Sequence, residues 1–293
     1  MPCLTLAFLG TFQVTLDGKA VTGFKSDKVR ALLAYLAVEA DRSHRRDTLA
    51  GLLWPEWPQS EALANLRYTL YDLRKAIGDK DAGPPYLLID RSNLQFNPAS
   101  DYWLDVTAFN RQMAGPADAA ALRQAVALHR GNFLAGLSVG DAFLFEEWAL
   151  LTRERLERRL LAALRRLAAH HQERGEDGAA CRYLEQQLEI EPWQEEAHRC
   201  LMRLLAGQGN RNAALRQYHI CRQRLDEELG VAPSEQTTAL YERISARDGA
   251  ATARVGPALV PPSLVARETQ LARLHRHLER ARAGQGGVVF VTG

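Results

Sequence analysis

Arginine, asparagine and tyrosine recur at helical spacing between Ser60 and Ile77, and these side chains have the chemistry to read duplex DNA. Arg bonds a guanine edge through two donors, Asn does the same for adenine, and Tyr bonds phosphate or packs on a thymine methyl. In the run SEALANLRYTLYDLRKAI, Ala62, Leu66, Leu70, Leu73 and Ile77 form one apolar stripe. At about 100° per residue, Tyr68, Tyr71, Asp72 and Lys75 point away from it, flanked by Asn65 on one side and Arg67 with Arg74 on the other. Such a face suits a major groove. The solvated side of an ordinary surface helix has the same composition, so the reading depends on its neighbours.

Two neighbours support it. Arg42, His44, Arg45 and Arg46 cluster at the start of a short helical pattern ending near Trp54. Cations there oppose the helix dipole, and a nearby phosphate would account for them. Arg91-Ser92-Asn93 lies at the tip of a hairpin pattern, where Arg91 either meets a minor groove or is an idle turn residue.

The elements that must position these residues follow from the periodicity. Leu4–Leu9 and Gln13–Leu16 read as strands, and Asp17-Gly18 is a hairpin signal with Lys19–Thr22 as the return strand. Val29, Leu32, Leu33 and Leu36 recur with helical period behind Ser26 as N-cap. A second helix fits Arg45 to Trp54, stopped by Pro55 and Pro58, and a third runs from Ser60 to Ile77 with Gly78 as its cap. Tyr86–Asp90 and Asn93–Phe96 read as a closing hairpin. Strands, three helices and a hairpin are the order of a winged helix-turn-helix, assigned to residues 1–100. From 101 to 248 the chain reads as all helix. Leu156, Leu160, Leu164, Leu167 and His171 share one stripe, and Gly175, Ala179-Ala180 and Arg182 repeat 34 residues later as Gly209, Ala213-Ala214 and Arg216. That is the tetratricopeptide period. The expected fold is therefore mainly α, an α+β winged helix followed by an all-α repeat domain. Residues 249–262, rich in Ala, Gly and Pro, read as a linker, and 263–293 as the start of another module.

Composition narrows the function classes. With 46% hydrophobic and 25% charged residues, the 293-residue chain is globular. It has no apolar run long enough to span a membrane and no basic leader before its first apolar stretch, so a cytoplasmic protein is expected. The net charge of +2 places any basic surface locally. Gly136-Leu137-Ser138-Val139-Gly140 matches the GxSxG nucleophile pattern, but helical flanks make it an interhelical loop. No Cys or His cluster has ligand spacing, and Cys181, Cys200 and Cys221 read as packing thiols. Neither an enzyme nor a metal protein is expected.

LTLAFLGTFQVTLDG, LLAYLAVEA, LAGLLWPEWP, ANLRYTLYDLRKAIG and YLLIDRSNLQFNP together resemble the OmpR-like winged helix of SARP-type transcriptional activators. WLDVTAFNRQ and the helical blocks up to LGVAPS are similar to the bacterial transcriptional activation domain that follows it. The resemblance implies binding to double-stranded promoter DNA, self-association on tandem direct repeats and recruitment of RNA polymerase. Asn65, Arg67, Tyr71 and Arg74 fall on its recognition helix, and Arg91 on its wing. The DNA-contacting set is thus Arg45, Arg46, Asn65, Arg67, Tyr68, Tyr71, Arg74, Lys75 and Arg91. The tail resembles the opening of a STAND-class NTPase, with Val265-Ala266-Arg267-Glu268 for a VGRE motif and Gly293 for the first Walker A glycine. The Lys and Ser/Thr that hold phosphate and Mg²⁺ do not follow, so ATP and Mg²⁺ are expected only for a longer protein. The alternative is a repeat scaffold for protein partners, or the sensor arm of an NTPase switch.

Overall fold

A computed structural model describes residues 4–115 and 118–252; the linker beyond residue 252 and the NTPase-like tail lie outside the described residues. The chain divides into two compact units, residues 1–238 and 239–293.

The first unit begins with β1 (Leu4–Ala7), β2 (Gln13–Leu16) and β3 (Lys19–Ala20). Leu4 and Leu6 of β1 are fully buried, as alternation requires of a half-buried strand. Asp17 and Gly18 both take positive φ, the geometry that turns a two-residue hairpin with the natural strand twist. The helices α1 (Asp27–Val38), α2 (Arg46–Leu53) and α3 (Gln59–Ala76) follow within a residue or two of the sequence expectation. α1 buries every residue from Ala31 to Ala37 and is the centre of the module. α3 buries its stripe of Ala62, Leu66, Leu70 and Leu73, with Thr69 beside it. The wing is β5 (Leu87–Ile89) and β6 (Asn93–Phe96).

Two strands were not expected. β4 (His44–Arg45) pairs with β6, so the wing sheet has the order β4-β6-β5. The expectation of uninterrupted helix from residue 101 is corrected by β7 (Tyr102–Leu104), which runs parallel to β1 and completes the sheet β3-β2-β1-β7. Strands of two and three residues are too short to show a period.

The helical part starts with α4 (Asp105–Ala114) and α5 (Ala119–Leu128). The 31-residue α6 (Phe143–Glu173) packs against α2 as well as α5 and against α7 (Asp177–Ile190). α8 (Glu195–Gly207), α9 (Arg211–Leu229) and α10 (Glu235–Thr252) complete the described chain. α7 and α9 begin 34 residues apart, each behind a positive-φ glycine, Gly175 or Gly209. Ala180 and Ala214 are fully buried in register, as the repeat requires. Residues 239–252 of α10 are the described part of the second unit.

One hydrophobic core runs from Leu4 through α1 to α3 and on to Phe133, Phe145 and Leu164. Its polar keystone is Asp105, 1% exposed. The carboxylate accepts from the backbone N–H groups of Phe8 and Leu9 at 2.9 and 2.8 Å, and from Arg130 at 3.2 Å. Across the same junction Lys28 of α1 pairs with Asp141 at 2.7 Å, its ammonium 4.8 Å from the centre of the Trp54 ring.

Candidate nucleic-acid interface

α3 is about 27 Å long, and burial of its leucine stripe leaves the opposite face to solvent. Tyr68 and Tyr71 are 73% and 59% exposed, unusual for tyrosines on a packed domain, and Arg67 and Lys75 are exposed beside them. Asn65 is half-buried at the edge. Asp72, the acid of this face, is paired with Lys25 at 3.0 Å.

Arg74 lies differently. It is half-buried, and its Nε donates to Oδ2 of Asp79 at 2.7 Å. Asp79 is 1% exposed, its N–H bonds the Arg74 carbonyl, and its Oδ1 accepts from Leu87 N of β5 at 2.9 Å. One buried carboxylate thus ties the end of the helix to the wing. Gly78 makes the turn possible at φ +66. Arg74, Lys75, Lys80 and Tyr71 then line a cup of about 320 Å³ with Asp81.

The wing turn is set by Asp90. Its Oδ1 accepts from Ser92 N at 2.6 Å and Asn93 N at 2.7 Å, an Asx turn that leaves Arg91 exposed at the tip. The Ser92 N–H, then the Asn93 side chain and N–H, hold the Asp90 carboxyl below its usual range. Arg46 is bound into this turn: its N–H donates to Ser92 O at 2.8 Å and its Nη2 to Asp90 O at 3.0 Å, while its Nε is buried without a hydrogen-bond partner. Arg45 is exposed and pairs with Asp47 at 3.2 Å. Arg42 is exposed and held by Glu39 at 2.8 Å.

Of the nine residues named from sequence, Arg67, Tyr68, Tyr71 and Lys75 share the free face of α3, with Asn65 at its edge. Arg45 and Arg91 are exposed on the flanking elements. Arg46 and Arg74 are braced within the module. Sequence reasoning missed Asp79, the carboxylate that braces Arg74, and Glu39, which holds Arg42. An acid one residue beyond a helix-capping glycine was the available signal for Asp79.

Elsewhere, the GxSxG pentapeptide is a loop between α5 and α6, with Ser138 Oγ donating to Glu146 at 3.0 Å. Among the described residues there is no group of three or more His, Cys, Asp or Glu placed to hold a metal, and no helix long and apolar enough to cross a membrane.

Residues 104–245 match the family model of the bacterial transcriptional activator domain. Transcriptional regulator RedD of Streptomyces coelicolor is 28% identical over 285 residues, covering 91% of this chain and 75% of RedD. Regulatory protein AfsR of the same organism is 29% identical over 287 residues, covering 92% of this chain and 26% of AfsR. Transcriptional regulatory protein EmbR of Mycobacterium tuberculosis is 36% identical over 85 residues, 29% of this chain and 22% of EmbR, so the matched stretch spans about a fifth of that relative. The solved structure of Mycobacterium tuberculosis EmbR in complex with a low affinity phosphopeptide superposes with a TM-score of 0.61 at 25% identity, covering 84% of this chain and 66% of that one.

Proposed function

We propose that the chain is a SARP-type transcriptional regulator, a sequence-specific activator that binds duplex promoter DNA through α3 and the wing; the activator-domain match over residues 104–245 and the likeness to RedD and AfsR support this reading. The observation that carries this reading is the pair of outward tyrosines, Tyr68 and Tyr71, flanked by Arg67 and Lys75 on a helix whose leucines are buried. An α-helix fits the major groove, and a good bidentate base contact contributes about 1–3 kcal/mol of discrimination. Asn65, Arg67, Tyr68 and Tyr71 read bases, whereas Arg45 and Arg91 meet phosphates on either side. Arg46, Arg74 and Lys75 support the same surface.

In this reading the helical module offers its surface to RNA polymerase and to a second copy on tandem direct repeats, in the cytoplasm, with no catalysis of its own. No cofactor is assigned to residues 1–293 in this reading. Fluorescence anisotropy with the protein's own upstream duplex and a scrambled duplex, across a salt series, tests the DNA-binding claim. Tighter binding to the upstream duplex, with log affinity falling linearly in log salt, is expected. Equal affinity for both duplexes at every salt concentration refutes sequence-specific recognition.

A further inference from the structure

The last turn of α1 joins the helical module to the wing. Trp148 of α6 donates from Nε1 to Glu39 Oε1 at 3.0 Å, and the other oxygen of that carboxylate accepts from Arg42 Nη2 at 2.8 Å. The Trp148 ring meets Tyr35 edge-on at 4.9 Å, and Tyr35 meets His44 in the same way at 5.1 Å. His44 Nε2 lies 3.0 Å from the Glu39 carbonyl oxygen, and its backbone pairs with Leu94 of β6. Gln95 of the same strand donates to Ala40 O at 2.9 Å.

We propose that Trp148 is a positioning residue for DNA binding: by holding Glu39 it fixes the Arg42 guanidinium to meet a backbone phosphate beside the start of α2. The inference rests on the DNA-binding reading above. Arg42 is 62% exposed, and an unrestrained arginine there loses side-chain freedom when it engages a phosphate. The Glu39 side chain is 17% exposed, with one oxygen anchored to α6, so the arginine it holds is already oriented. A residue of the helical module thereby contributes to DNA affinity from behind the DNA-binding surface.

The test is a double-mutant cycle on the full chain, read as affinity for the upstream duplex. Trp148→Phe removes the N–H donor together with the smaller ring of the indole and keeps one aromatic ring against Tyr35, Phe133 and Phe145. It is expected to weaken binding about fivefold, the equivalent of one hydrogen bond, with preference over a scrambled duplex unchanged. In an Arg42→Ala background the same substitution is expected to have no further effect. An equal loss in both backgrounds marks a general structural role and overturns the proposal, as does no loss in either. Glu39→Gln is expected to weaken binding; if it tightens binding, Glu39 competes with phosphate and the proposal also fails. Failure of the unmodified chain to prefer its duplex removes the DNA reading itself, and is seen before any variant is made.

Discussion

Arg74 and Asp79 are bonded twice, side chain to side chain at 2.7 Å and backbone to backbone at 3.0 Å, across the turn that ends α3. The arginine nominally on the base-reading face is therefore braced through its Nε by a carboxylate that also holds β5. Asp79→Ala leaves the Leu87 N–H and the Arg74 Nε without their acceptor. The buried Leu87 amide left unsatisfied costs about 1–3 kcal/mol, and the half-buried Arg74 adds less because water reaches it, so urea denaturation should show a clear fall in midpoint. Asp79→Asn, which keeps one acceptor oxygen, is expected to lose less.

Base readers and phosphate holders should separate by salt dependence. Arg67→Ala is expected to relax preference at one base pair by about 1–3 kcal/mol. Arg91→Ala and Arg45→Ala are expected to weaken the upstream and scrambled duplexes alike and to lower the salt slope by about 1 each. Anisotropy titrations at several salt concentrations distinguish the two patterns. The same uniform loss from Arg67→Ala would remove that residue from base readout.

Gly78 and Gly230 both sit at φ +66 after a helix. A Cβ on Gly78 would lie 3.2 Å from Leu16 Cδ2, whereas one on Gly230 would meet nothing within 4 Å. Each change to Ala costs about 1–2 kcal/mol of left-handed strain. Gly78→Ala should lower the thermal midpoint further, because the Leu16 side chain of β2 must also shift.

Burial, then the nearby Glu195 carboxylate, pushes the Cys221 thiol up to about 12. A raised acid pKa stabilises the fold fully below the unfolded value of about 8.5 and ceases to do so as pH climbs through the folded value. Unfolding free energy should therefore decline between about pH 9 and 12, and Cys221→Ala should flatten that decline. At pH 8 a thiol reagent should leave Cys221 unmodified until denaturant is added, as mass spectrometry of the labelled peptide will show.

The helices of the winged module were legible because their signals are local. The leucine stripe of α3, Pro58 before it and Gly78 after it lie within about twenty residues, and the 34-residue offset revealed the paired helices. What was illegible depends on distant partners. β4 exists because His44 finds Leu94, and β7 because Tyr102 finds Leu4. The bracing of Arg42 draws on Trp148, 109 positions beyond Glu39. Periodicity placed Arg74 on the outer flank of α3, but not against a buried acid five residues later. The same limit applies to Arg46, whose partners lie on the wing.

The strand that closes the first sheet, together with the aspartate that secures Phe8 and Leu9, lies where the sequence already reads as the helical module. Severing the chain at residue 100 would strip β1 of one of its two neighbours and orphan two amides in the interior. To graft the winged module onto another protein, the transplanted cassette must run through Asp105 and carry a counterpart of Arg130 with it. Recombination that respects this overlap keeps the module intact; a crossover a few codons earlier destroys it.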